Sequence, residues 1–304
     1  MSADQRDLAA SVAARLLNRA RQRKDDYQVL LTSYCFERFL YRLGASDVRE
    51  RFVLKGAMLL KLWSDQPYRA TRDLDLLRRG DGSHDAIRTD LRVVCGTRVE
   101  PDAIEFDPDT IALESIRAAD EYAGVRAILT ARCGKARLSL QIDMGVADAV
   151  WPAPLVCAYP TLLDFPQPSV LAYPREAVVA EKLEAVVVLG DRNSRIKDFF
   201  DLHHLASRHE FDRVTLAEAV RRTFDRRGTA VPEEPPLGLT ASYWENPVRP
   251  AQVRAFAQRA AIVIPSAFET ELTRLLGAFL LPILDDARRG VRRGGSWSPG
   301  GPWR

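Results

Sequence analysis

Two aspartates two residues apart, Asp73 and Asp75, stand in the short apolar run DLDLL at residues 73–77. Side chains alternate along a strand, so both carboxylates point to one face while Leu74 and Leu76 point to the other. Adjacent carboxylates repel each other and cost stability. A divalent cation between them removes that cost, and hard oxygen ligands suit Mg2+. The pair therefore reads as a Mg2+ site for handling a nucleoside triphosphate. Arg69 and Arg72 come just before it, where phosphate charge needs neutralising. Taken alone, Asp-x-Asp is a common surface motif. The leucines at 74, 76 and 77, which mark the strand as buried on one face, favour the metal reading here.

Other segments must deliver the rest of such a site. Upstream, Arg51–Leu60 reads RFVLKGAMLL, with a small-residue turn at Gly56-Ala57 ahead of a helical apolar run. Downstream, residues 137–143 alternate cleanly: Leu138, Leu140 and Ile142 share one face and Asp143 ends the other. This half-buried strand brings a third carboxylate to a polar face, although a solvent-exposed strand-end aspartate fits the same pattern.

A second constellation lies further on. Pro174 opens a helix over 174–189, where proline is tolerated in the first turn. Lys182 has Val178, Val179, Ala185 and Val186 as its helical neighbours, an apolar stripe that lysines usually avoid. Either its stem snorkels to solvent or the ammonium reaches into a cleft to hold triphosphate oxygens. Asp198 shares a face with Leu202 and Leu205 on the next helix, 195–208. A carboxylate on a buried face needs a cation, either Arg195 or Lys182. His203 and His204 are adjacent and diverge on a helix, so both read as packing or surface residues.

The remaining elements frame these groups. Residues 4–43 read as two helices broken at Arg21–Asp26, with Gly44 as C-terminal cap. Ser83 caps a helix over 84–95, and strands are expected at 103–107, 110–118 and 123–131. Six prolines from Trp151 through Pro174 mark a connecting segment and domain boundary. Further helices are expected at 214–227, 248–261 and 266–287. The expected organisation is N-terminal helices plus a core over 1–165, a helical lobe over 166–287, and a disordered basic tail over 288–304.

Composition sets outer limits. The chain has 304 residues, 46% hydrophobic and 28% charged, as in an ordinary globular protein. Net charge is only +3, which neither requires nor excludes nucleic acid. Arg221, Arg222, Arg226 and Arg227 form either a phosphate-binding face or a solvated helical one. The four cysteines form no CxxC pair, no apolar run reaches membrane length, and no signal peptide is expected. A reducing cytoplasmic location and no membrane partner are expected.

Taken together, FVLKGAMLL, RATRDLDLL, QIDMG, EKLEAVV and RIKDFFDL resemble, in order, the AbiEii/AbiGii-type nucleotidyltransferase toxin family, which includes the mycobacterial MenT toxins. The resemblance covers most of residues 30–205 and is loose in the C-terminal third. It implies an α+β fold: a DNA polymerase β-like nucleotidyltransferase core with N-terminal helices and a helical C-terminal lobe. It further implies that Asp73 and Asp75 bind two Mg2+ ions, with Asp143 matching a third acidic position. Lys182 and Asp198 become the essential pair of the later motifs. Lys55, Gly56, Ala57, Arg69, Arg72 and Lys182 would grip the NTP. Ala57 stands where a hydroxyl or glycine is usual, which shifts that grip toward backbone amides. The acceptor implied is the tRNA 3' end, where an added nucleotide blocks aminoacylation; Arg222 and Arg226 are the candidate acceptor contacts. A cognate antitoxin is implied as partner. A transferase acting on a protein or small molecule, and a degenerate nucleotide-binding module, are the alternatives.

Overall fold

In the computed structural model, residues 3–64, 71, 73–117, 123–146, 150–260, 262–265 and 267–304 are described. Arg69 and Arg72 lie outside them. The chain divides into two compact units, residues 1–149 with 154–173, and residues 150–153 with 174–304.

The first unit opens with helices α1 (Ala3–Arg23) and α2 (Tyr27–Ala45). Asp26 caps α2 by accepting from the Val29 amide at 3.0 Å, satisfying a donor the helix itself cannot. Gly44, expected to cap α2, instead lies inside its last turn. A Cβ there would come within 2.2 Å of the Ser169 carbonyl oxygen, so glycine permits close approach of helix and strand.

Strand β1 (Phe52–Lys55) leads through a 3-10 turn (Gly56–Leu59) into the short helix α3 (Leu60–Trp63), and β2 (Asp73–Arg78) follows. Helix α4 (His84–Gly96) is capped by the Ser83 hydroxyl, as expected. The two strands expected near 103–118 are one long strand, β3 (Ile104–Arg117), with a register shift between Asp107 and Ala112. Pro108 within the shift cannot donate to the ladder, which explains the break in pattern. Strands β4 (Ala123–Cys133) and β5 (Ala136–Val146) continue the meander.

The proline-rich segment is more than a connection. It carries β6 (Leu155–Ala158) and β7 (Ser169–Ala172), and β7 pairs in parallel with β1. The expected boundary at 165/166 therefore moves to 173/174. Pro160, Pro166 and Pro168 lie between these strands, where no ladder donor is needed. Buried Glu37 and Arg38 on α2 hold the intervening loop. Glu37 accepts from the Leu162 amide at 2.6 Å, and Arg38 donates to the Pro166 carbonyl at 3.0 Å. Burial pushes the Glu37 pKa up to about 7, against the pull of Arg38.

The sheet order is β3-β4-β5-β2-β1-β7-β6, with parallel pairs at β2/β5 and β1/β7 and antiparallel pairs elsewhere. Helix α2 lies against β5 and β7, and α4 against β3. Leu74, Leu76, Ala127, Leu129, Leu140 and Ile142 are buried, whereas Asp73, Asp75, Arg126, Gln141 and Asp143 are half-exposed. Period-two alternation thus leaves one polar face for chemistry.

The second unit is helical: α5 (Arg175–Leu189), α6 (Ile196–Arg208), α7 (Arg213–Arg226), α8 (Ala241–Trp244), α9 (Arg249–Ala260) and α10 (Phe268–Arg289). Val179, Leu183, Val186, Phe199, Leu202, Leu216, Val220, Leu276 and Phe279 are buried in its core. The tail beyond Arg288, expected to be disordered, is part of this core. Strand β9 (Ser296–Trp297) pairs with β8 (Phe211–Asp212). Trp297 is fully buried and donates to the Ala206 carbonyl at 2.7 Å, while Trp303 stacks on Phe279 and donates to its carbonyl at 3.0 Å. Gly/Pro/Arg-rich composition signals disorder only when no apolar group can be buried, and two tryptophans reverse that balance. No helix among the described residues is long and apolar enough to cross a membrane.

Candidate active site

Strand register assembles the carboxylates. In the parallel β2/β5 pair, Asp73 faces Gln141 and Asp75 faces Asp143. In the antiparallel β1/β2 pair, Lys55 faces Asp75. Carboxylate oxygens of Asp73, Asp75 and Asp143 lie within 4.8 Å of one another. Carboxylate oxygens at this spacing could hold a hard divalent cation such as Mg2+, though both oxygens of Asp143 also accept from Arg126. Thr71, two residues before Asp73, donates its hydroxyl to that carboxylate and orients it.

The Gly56 turn is built against this cluster. Gly56 has φ +69°, and a Cβ on it would fall 1.9 Å from the Asp75 Oδ2 atom. Only glycine combines that left-handed backbone with such close approach. The backbone of Gly56 and Ala57 therefore lies beside the carboxylates, where main-chain amides can receive an anion. Ala57 is buried. Lys55 places its ammonium 5.3 Å from the centre of the Tyr173 ring.

The second constellation assembles within the helical unit. Lys182 on α5 donates to Asp198 at 2.6 Å and is ion-paired with Asp201 at 2.7 Å, both on α6. Neither snorkelling nor a free ammonium describes it. Of the two cations open to Asp198 from sequence, the structure selects Lys182; Arg195 is exposed at the N-cap of α6. Burial pulls the Lys182 pKa down, but Asp198 and Asp201 more than offset this and hold it above its ordinary value. Asp201 was not singled out from sequence. Its spacing of three from Asp198 places both on one helical face, which was the available signal.

The arginines at 221, 222, 226 and 227 are each paired with carboxylates. Arg221 and Arg222 bond Glu218, at 2.8 and 2.5 Å. Arg226 pairs with Glu181 and Arg227 with Glu184. Hydrogen bonds from these arginines, first Arg221 and then Arg222, hold the Glu218 pKa down to about 2 despite some burial. Arg222 also lies 4.3 Å from the centre of the Trp151 ring. Of the packing and surface roles open to His203 and His204 from sequence, the structure shows packing. His203 rests against Phe268, and burial lowers the His204 pKa to about 4.

The family model of the nucleotidyl transferase AbiEii toxin, from type IV toxin–antitoxin systems, matches residues 38–287. The chain belongs to the AbiEii nucleotidyl transferase toxin family. Among solved structures it is similar to MenT4, a nucleotidyltransferase toxin from Mycobacterium tuberculosis H37Rv. That likeness has 20% identity, covers 94% of this chain and 99% of that one, and gives a TM-score of 0.51. JHP933 from Helicobacter pylori is 16% identical over 87% of this chain and 95% of that one, with a TM-score of 0.48. No curated protein matches the chain. The family match extends to residue 287, past the segment where sequence motifs thinned out, and thus includes the helices of the second unit.

Proposed function

We propose that this AbiEii-family chain moves a nucleoside monophosphate from an NTP to the 3' end of tRNA, with Mg2+ held by Asp73 and Asp75. The observation that carries the reaction class is the carboxylate cluster set behind the Gly56 turn. A divalent ion held by Asp73 and Asp75 would offset triphosphate charge and make the attacking hydroxyl easier to deprotonate. Thr71 fixes the Asp73 carboxylate. The Gly56-Ala57 backbone and Lys55 receive phosphate oxygens, and Arg69 and Arg72 are proposed to add charge. Lys182 and Asp198 are the second functional pair. Since the ammonium is taken up by two carboxylates, Lys182 acts by fixing Asp198 and Asp201 rather than by gripping phosphate.

The tRNA acceptor is supported by the sequence resemblance and by family membership in a toxin–antitoxin class. A cognate antitoxin is the corresponding partner. Of the expected acceptor contacts, Arg222 is the better placed, because its stack with Trp151 offers an aromatic surface to an unpaired base.

The test is incubation with each labelled NTP and Mg2+, plus total tRNA, protein extract or neither. Label is expected on the tRNA 3' end and is expected to vanish in Asp73→Asn. Label only on protein or a small molecule would overturn the tRNA reading while keeping the transferase. Overproduction should arrest bacterial growth, with relief by the cognate antitoxin or by Asp73→Asn.

A further inference from the structure

The face that carries Asp73 and Asp75 also carries a cation. Arg126 on β4 lies opposite Asp143 in the antiparallel β4/β5 register, so Asp75, Asp143 and Arg126 stand in one row. The Arg126 Nε donates to Asp143 Oδ1 at 2.8 Å, and its terminal Nη2 donates to Oδ2 at 2.9 Å. Gln141, two residues earlier on β5, donates to the same Oδ2 at 3.1 Å. An ionised carboxylate offers about four lone-pair positions. Three donors already occupy most of those on Asp143.

Bidentate guanidinium–carboxylate pairs are among the stronger polar contacts and are fixed in geometry. A divalent ion drawn to Asp143 would have to sit beside that guanidinium, where like charges repel. Arg126 and Asp143 cancel, so among the three carboxylates the uncancelled charge is that of Asp73 and Asp75, with Lys55 opposite Asp75 in the neighbouring strand. Two negative charges match one divalent ion. Any second ion must then bring its own anionic ligands, which the triphosphate supplies.

We propose that Arg126 is a positioning residue that withholds Asp143 from the cation, leaving Asp73 and Asp75 to hold a single divalent ion in the nucleotide-free protein. The inference rests on the nucleotidyltransferase reading for the purpose of the cluster. It replaces the expectation that Asp143 is a third ligand.

Mn2+ titration followed by electron paramagnetic resonance tests it on the full chain without nucleotide. The native protein should bind one Mn2+. Arg126→Gln frees Asp143 and should tighten Mn2+ binding by about tenfold or more, since a third carboxylate joins the set. The double variant Arg126→Gln/Asp143→Asn restores the original charge and should return the affinity to within about threefold of native, because Asp143 is no ligand in the native protein. Unchanged or weaker binding in Arg126→Gln would overturn the proposal. So would a tenfold or greater loss in the double variant, which would make Asp143 a native ligand. The double variant is charge-matched and keeps the test available should Arg126→Gln fail to fold. Because Mn2+ binding is read without an acceptor, a failed transfer assay and a failed positioning role remain distinguishable.

Discussion

Lys182 offers the sharpest test of the helical unit. Its side chain is 17% exposed, and those of Asp198 and Asp201 are 8% and 4% exposed. Replacing Lys182 by Met keeps stem volume and helix propensity but leaves two buried carboxylates facing each other with no cation. Removing one partner of a buried ion cluster costs about 3–5 kcal/mol. For a domain of this size, one kcal/mol shifts the melting temperature by roughly 3 °C, so a fall of about 10–15 °C is expected near pH 7. Loss in Lys182→Met should shrink as pH falls into the carboxylate range, because protonation of either aspartate relieves the repulsion. In the native chain the raised lysine pKa gives stability that is full below about pH 10.4, the unfolded value, and is lost as pH rises through the folded value. The triple variant Lys182→Met/Asp198→Asn/Asp201→Asn should recover most of the loss. Calorimetry across pH reads all of these. A melting temperature of Lys182→Met within about 2 °C of native at pH 7, on the same scale of degrees per kcal/mol, would refute the clamp.

Three other outcomes are expected. Asp73→Asn and Asp75→Asn should each abolish nucleotide transfer while leaving the melting temperature unchanged or slightly raised, since a like-charge contact is relieved; transfer at native rate in either variant removes the metal assignment. Deleting residues 291–304 removes Trp297 and Trp303 and should destabilise the protein by about 3–5 kcal/mol in a urea titration, the range for loss of a buried tryptophan; no change in the midpoint would mean that the tail does not staple α6 and α10. Glu37, with its pKa raised to about 7, takes up a proton in the folded state before the unfolded chain does. Its contribution to stability should therefore grow as pH falls from about 7 toward the unfolded value of about 4.3, and this slope should be missing in Glu37→Gln.

The short-range patterns of this chain were legible without coordinates. Alternation in RDLDLL and RLSLQID placed Asp73, Asp75 and Asp143 on polar strand faces, and the structure puts their oxygens within 4.8 Å. Helical periodicity located α2, α5, α6 and α10 to within a few residues. These signals are local: a face is set by period two or 3.6, whatever lies across from it. Partners across strands and helices are a different matter. Nothing in the sequence tied Arg126 to Asp143, Asp201 to Lys182, or Glu184 to Arg227, because register and helix packing decide which charges meet. The same holds for the segment after Trp151. Its prolines describe where backbone donors are missing, whereas only pairing with β1 shows that β7 is an interior strand. The C-terminal tail makes the point most directly, since its composition argues for disorder until Trp297 finds the Ala206 carbonyl and an apolar pocket. Sequence by itself determined which residue types line each face; tertiary structure alone decided which opposite charges cancel, because that depends on distances between residues far apart in the chain.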